Sequence, residues 1–300
     1  MHLASQGPIL VIGATGNQGR QVVRALLDAG RTVHAFTRNP SSPRAQALQR
    51  YGAHLVQGDL ADRGSLIEAI HLAAGVFSVQ NFWELGMNQE VRLGSNVIRT
   101  ATEAGHRPHL VYSSGLGAER PQHVEAIDGK AILEQHLRNS GLPYTILQPG
   151  LFMDDFRGAS LPFARPIQRL LRRHRPLVGR LFLATLRAVM PKNHPIPLTS
   201  LHDLGCMAAW AFEHPRRAQD QTYRIIGSAD TAETLCLTWE QRMRASIPYV
   251  PAPKWGIRLV HPQMAALLAW LGRYEAIPSE LPIALQSYDA WLWASAQHPC

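Results

Sequence analysis

Near the start of the chain, Gly13-Ala14-Thr15-Gly16-Asn17-Gln18-Gly19 places glycines at the first, fourth and seventh positions. That spacing suits a pyrophosphate. The first glycine permits a tight turn, the second lets backbone approach the phosphates, and the third allows a helix to pack closely on the preceding strand. The N–H groups opening that helix then face the anion. Further along, Thr37-Arg38-Asn39 stands where a dinucleotide site reads the adenosine ribose, with Arg31 and Arg44 nearby. No Asp or Glu lies between Asp28 and Asp59, so the acid that usually accepts hydrogen bonds from an NAD ribose is missing. A guanidinium at position 38 matches a 2′-phosphate in charge and in fork geometry. Arg38 is therefore expected to select NADP(H), the competing account being a residue that merely caps a loop. Asp59-Leu60 is expected to frame the adenine, and an Asp just before a helix also reads as an N-cap.

Strands and helices must bring these residues together. Pro8–Ile12 is an apolar run that reads as a first strand. Val22, Val23, Leu26 and Leu27 give Gln18–Ala29 a helical stripe, which Gly30 ends. Strand-like runs recur at Thr32–Phe36, Ala53–Val56, Gly75–Val79, His109–Tyr112 and Tyr144–Leu147. Helical patterns lie between them, at Pro43–Tyr51, around Leu66–Ile70, at Glu84–Ala104 and at Val124–Asn139. This alternation predicts an α/β fold, a doubly wound parallel Rossmann sheet. Past Gly150 it stops. Leu161–Met190 reads as helical pieces broken at Pro166 and Pro176, Ile196–Leu198 and Tyr223–Ile226 are strand-like, and Asp203–Phe212 is helical. The expected organisation is an NADP-binding Rossmann domain over 1–155 and a smaller, mainly helical substrate or partner lobe over 156–300.

Composition sets outer bounds. With 46% hydrophobic and 17% charged residues, the chain can bury a large core. No stretch nears the ~20 apolar residues that span a bilayer, so no transmembrane segment is expected. The apolar run beginning at Pro8 leaves no room for a signal peptide after Met1, which points to the cytoplasm. Cys206, Cys236 and Cys300 lack ligand spacing, and none of the 14 histidines forms HxH or HExxH; no metal site is expected. The net charge of +8 concentrates between Phe156 and His202, where there is no acid. Within it, Arg165–Lys192 interleaves basic residues with leucines. One reading is contact with an anionic surface or acidic partner; the other is a solvated helical face over buried leucines. With neither a recognition helix nor an aromatic platform, no specific nucleic-acid recognition is expected.

The motifs at 13–30, Thr37–Pro40, Val56–Asp62, Val76–Glu84, Leu110–Ser114, Asp128–Phe156 and His202–Gly205 together resemble the NmrA-like family, a branch of the atypical short-chain dehydrogenase/reductases. The likeness is close over about the first 155 residues and holds in outline beyond them. It implies that Gly13, Thr15, Gly16, Asn17, Gln18 and Gly19 hold the pyrophosphate and Arg38 the 2′-phosphate. It further implies that Ser78, Val79, Gln80 and Asn81 line the nicotinamide-side ribose, that Lys130 reaches the ribose hydroxyls, and that Pro149, Gly150 and Phe152 flank the nicotinamide ring.

Dehydrogenases of the wider superfamily set a Tyr four residues before the active-site Lys, with a Ser ending the fifth strand. This chain keeps Lys130 and offers Ser113 or Ser114, of which Ser114 is the candidate, but Ala126 stands where the Tyr would be. The usual proton donor is thus absent. One expectation is an NADPH-dependent reductase of a quinone, enone or similar electron-poor small molecule, with Lys130, His123 or water giving the proton. The alternative is a non-catalytic NADP(H) redox sensor whose C-terminal lobe meets a regulatory protein partner. The aromatics Phe77, Phe82, Trp83, Phe152 and Phe156 suit either a substrate pocket or ordinary core.

Overall fold

A computed structural model describes residues 7–158, 175–248, 261–277 and 279–297. The chain divides into two compact units, one comprising 1–148 with 202–224 and the other 149–201 with 225–300.

The first unit is a seven-stranded sheet in the order β3-β2-β1-β4-β5-β6-β9. Its strands are β1 (Ile9–Val11), β2 (Val33–Thr37), β3 (His54–Gln57), β4 (Gly75–Ser78), β5 (His109–Ser113), β6 (Tyr144–Pro149) and β9 (Gln221–Ile225). All five pairings among the first six are parallel. β1, β4 and β5 are buried at every position, which is why they read as continuous apolar runs rather than alternating ones. Helices α1 (Asn17–Asp28), α2 (Pro43–Tyr51), α3 (Arg63–His71), α4 (Phe82–Glu103) and α5 (Glu125–Asn139) fill the crossovers. Their ends follow local chemistry. Ser42 caps α2 by accepting from Ala45 N, with Pro43 at its first turn and Gly52 left-handed at its end. α4 is kinked at Gly86, whose φ of 70° and ψ of 166° are not helical. The core joins Leu10, Val76, Leu110 and Ile146 from the strands, with Ile12 just after β1, to Leu66, Ile70, Val97, Leu133 and Leu137 from α3, α4 and α5.

The six expected strands are all present, within one or two residues of the sequence reading. Residues 202–224 return to this unit: α7 (Leu201–Glu213), the short α8 (Pro215–Ala218) and β9. The strand-like signal at Tyr223–Ile226 therefore extends the main sheet next to β6.

The second unit carries a three-stranded sheet ordered β10-β8-β7, made by β7 (Leu151–Phe152), β8 (Pro195–Thr199) and β10 (Ser228–Thr231). Its helices are α6 (Arg175–Val189), α9 (Ala232–Met243), α10 (Pro262–Leu271) and α11 (Tyr288–Gln297), with a 3-10 turn at Met153–Arg157. Phe156, fully buried, packs on Phe182 and Tyr288. Among the described residues, no helix is long and apolar enough to cross a membrane.

Candidate functional site

β1 leads into α1 and then β2 on one side, while β4 pairs on its other side. The strand order therefore reverses between β1 and β4, and the carboxyl ends of these strands open a crevice at that switch point, where doubly wound sheets bind ligands. The glycine loop lies there. Gly13 has φ +76°, and a Cβ on it would sit 2.7 Å from Val79 Cγ1 and 2.9 Å from Val79 O, at the end of β4. Gly16 N donates to Gly13 O at 2.9 Å, closing the turn. A Cβ on Gly19 would lie 2.2 Å from Gly13 O, so only glycine lets α1 start this close to the loop. Gly16 is the N-cap of α1 and supplies no side-chain cap. The opening N–H groups of a 12-residue helix thus lack the usual Ser, Thr or Asp acceptor, as suits a helix end that binds phosphate.

Arg38 follows β2 and is exposed. The turn around it is held by its neighbours: Asn39 N donates to Thr37 Oγ1 at 3.3 Å, and Ser41 N to Asn39 Oδ1 at 3.0 Å. Arg44 Nη1 reaches the glycine loop at Thr15 O, 3.5 Å away. Asp59 does not cap α3. That role falls to Asp62, which accepts from Gly64 N and Ser65 N, while Asp59 Oδ1 accepts from Ala61 N at 2.9 Å in the preceding turn. Leu60 is half-buried against the core, and its carbonyl accepts from Asn96 Nδ2 at 3.0 Å.

After β4, Ser78 and Gln80 are buried and joined, Gln80 Nε2 donating to Ser78 Oγ at 2.8 Å. Asn81 caps α4 by accepting from Trp83 N. The adjacent hydroxyls at the end of β5 diverge. Ser113 Oγ donates to Gln18 Oε1 in the glycine loop at 2.7 Å. Ser114 Oγ donates to Glu134 Oε1, which also accepts from Gln148 Nε2, and Arg138 holds the other oxygen of the same fully buried carboxylate. Ser114 therefore belongs to a buried polar cluster facing α5, and Ser113 is the serine that meets the loop.

Lys130 lies on α5, one turn after Ala126 and beside the backbone that leaves β5. A Cβ on Gly115 would be 3.4 Å from Lys130 Cδ. Its ammonium donates to Glu90 Oε1 on α4 at 2.6 Å. His123 is exposed at φ +59°, just before the Val124 N-cap of α5. Pro149, Gly150 and Phe152 belong to the second unit. There Gly150 N donates to Thr199 Oγ1 at 2.7 Å, and Phe152 pairs with Thr199 in the small sheet. The expected aromatic group divides in the same way. Phe77 and Phe156 are fully buried core residues of different units, and Trp83 is 37% exposed.

Arg165, Arg169, Arg172 and Arg173 lie outside the described residues. Of the remaining arginines of that basic stretch, Arg180 donates to Ser246 O, and Arg187 to Ile247 O and Pro248 O at 3.3 and 3.4 Å. These two arginines bind the backbone a few residues past α9.

The loop, its switch-point setting and the pattern of both α/β halves match a known family. The family model described as "NmrA-like family" covers residues 5–276. The chain belongs to the NmrA-like family. Among relatives of this NmrA-like chain, the NmrA-like family domain-containing oxidoreductase malD of Malbranchea aurantiaca is 35% identical over 165 residues, 51% of this chain and 49% of that protein. The chain spans about half the length of the first curated relatives it matches, between 45% and 49%. An NADPH-dependent quinone oxidoreductase of Escherichia coli, solved with NADPH, superposes with a TM-score of 0.67 at 22% identity, covering 88% of each chain. NmrA, a negative transcriptional regulator solved with NADP, superposes with a TM-score of 0.69 at 20% identity, over 96% of this chain and 91% of that one. At those identities the two structures establish the shared fold.

Sequence reasoning missed Glu90. An available signal is its place on the buried stripe of α4 with Gly94, Val97 and Ala101, where spacings of four, three and four keep one face inward. An acid on that face needs an internal partner.

Proposed function

We propose that the chain binds NADP(H) at the switch-point loop and uses it to reduce an electron-poor small molecule of the quinone or enone class. The observation carrying this reading is the loop itself, a glycine cradle over the β1/β4 crevice with an uncapped helix behind it. The residues fit the dinucleotide. Gly13, Thr15, Gly16, Asn17, Gln18 and Gly19 line the pyrophosphate path, and the Arg38 guanidinium, which has no partner among the described residues, takes the 2′-phosphate. Asp59 and Leu60 frame the adenine, and Ser78, Val79, Gln80 and Asn81 border the ribose next to β4.

When bound, reduced nicotinamide supplies hydride. The acceptor then needs a proton, and this chain assigns that to Lys130, whose ammonium carries three N–H donors of which one is fixed by Glu90. Ser113 orients Gln18 at the loop. Relatives and neighbours named as oxidoreductases support the reductase reading; a regulator among the neighbours keeps the sensor as its rival.

The test is NADPH oxidation, followed by absorbance, against a panel of quinones, enones and aldehydes, with Lys130→Ala beside the wild type. Acceptor-dependent turnover that Lys130→Ala removes supports the reductase. Tight NADP(H) binding without turnover on any acceptor transfers the assignment to a sensor.

A further inference from the structure

Lys130 is held by a carboxylate that is 0% exposed, while its own side chain is 17% exposed. The two residues come from different helices, which approach over a glycine: a Cβ on Gly129 would lie 3.0 Å from Glu90 Oε2. That second oxygen is buried without a hydrogen-bond partner. A buried carboxylate with one cation and an unmatched oxygen is poor value for stability alone, because desolvation offsets most of the attraction. Nearby, the Tyr112 hydroxyl is also buried and unpartnered. Burial, then the charges of Glu90 and Glu134, push this phenol well above its ordinary range, so it remains a neutral donor beside them. The choice of cation is also informative. Of the 30 Lys and Arg residues, lysine occurs only at 130, 192 and 254. An amine, which can release a proton where a guanidinium does not, stands opposite Glu90.

We propose that Glu90 is a positioning residue: it fixes one N–H of the Lys130 ammonium inside the α4–α5 packing and so aims the other two at the reacting acceptor. The proposal rests on the assignment of Lys130 as proton donor.

The test is amine-selective acetylation of the full chain without cofactor, read by mass spectrometry at Lys130 relative to exposed Lys192, in wild type, Glu90→Gln, Glu90→Asp and Gly129→Ala. Unfolding midpoints are measured alongside. The expected result is a rise of about tenfold in relative Lys130 acetylation for Glu90→Gln, as the ion pair is lost, with partial return in Glu90→Asp. Gly129→Ala, which presses on the same carboxylate, is expected to move the ratio in the same direction and serves if Glu90→Gln does not fold. With a reducible quinone, Glu90→Gln should lower kcat by about tenfold while the KM for NADPH stays within about threefold, the pattern of a lost transition-state interaction. An unchanged acetylation ratio, or an effect on KM alone, overturns the proposal. In wild type, NADPH should protect Lys130 from acetylation; absence of protection overturns the cofactor-site reading of Lys130 separately from the Glu90 pairing.

Discussion

Ser113 Oγ donates to Gln18 Oε1 at 2.7 Å, tying the end of β5 to the first turn of α1 across 95 residues of sequence. The next residue points the other way, into the buried Glu134 cluster. Ser113→Ala is expected to weaken NADPH binding several-fold by freeing Gln18, at little cost in stability. Ser114→Ala should leave NADPH affinity nearly intact and cost about 1–3 kcal/mol, since a buried carboxylate loses one of its donors. Cofactor titration and urea unfolding on both variants separate the two roles, and a reversed pattern would show the assignment of the hydroxyls to be wrong.

Gly19 tests the loop. With its added Cβ 2.2 Å from Gly13 O and 2.6 Å from Gly13 C, Gly19→Ala must shift backbone rather than a flexible side chain. A destabilisation of about 1–3 kcal/mol is expected, together with a loss of NADPH affinity too large to follow from stability alone. Unaltered affinity in a folded variant would remove the loop from the cofactor site.

Arg38 tests cofactor choice. Because Thr37 and Asn39 hold the turn, Arg38→Ala should leave the fold unchanged and weaken NADP(H) by about 1.5–3 kcal/mol, the worth of hydrogen bonds to a charged group. NAD(H) binding should hardly change. Equal losses for both nucleotides, measured by the same titration, would refute the 2′-phosphate role.

His109 predicts a pH dependence of stability. Its Nε2 lies 2.8 Å from Thr145 Oγ1, whose own hydroxyl donates to Ala218 O. The threonine oxygen must then accept, so Nε2 carries a proton, and Nδ1 is buried without a hydrogen-bond partner. Burial lowers its pKa from 6.5 to about 4. The unfolded chain therefore binds the proton more readily. Stability is full above the unfolded value, falls as pH drops from about 6.5 towards 4, and levels below that. Between about pH 8 and pH 5 this one group accounts for roughly 2 kcal/mol. Urea unfolding at both pH values should show a smaller pH difference in His109→Gln, and the same difference in both proteins would discount His109.

Local rules made much of this protein legible in one dimension. A glycine spacing of three between an apolar run and a helical stripe reads as a strand-turn-helix, because each glycine answers a steric demand within seven residues. The six strands of the Rossmann unit were readable for a similar reason. Parallel strands covered on both faces carry uninterrupted apolar side chains, and glycines or caps mark the helix ends.

The tertiary structure decided the rest, and each case involves partners far apart in sequence. Asp59 reads as a possible helix cap in the sequence, and the turn geometry gives α3 to Asp62 instead. Ser113 and Ser114 are equivalent in sequence, and strand alternation sends one to the glycine loop and the other to Glu134. Residues 202–224 follow a long excursion and still complete the first unit's sheet. Glu90 acquires its meaning only when α4 and α5 pack and bring Lys130, 40 residues away, to 2.6 Å. Sequence periodicity says which face of a helix is buried; only packing says which charge waits there.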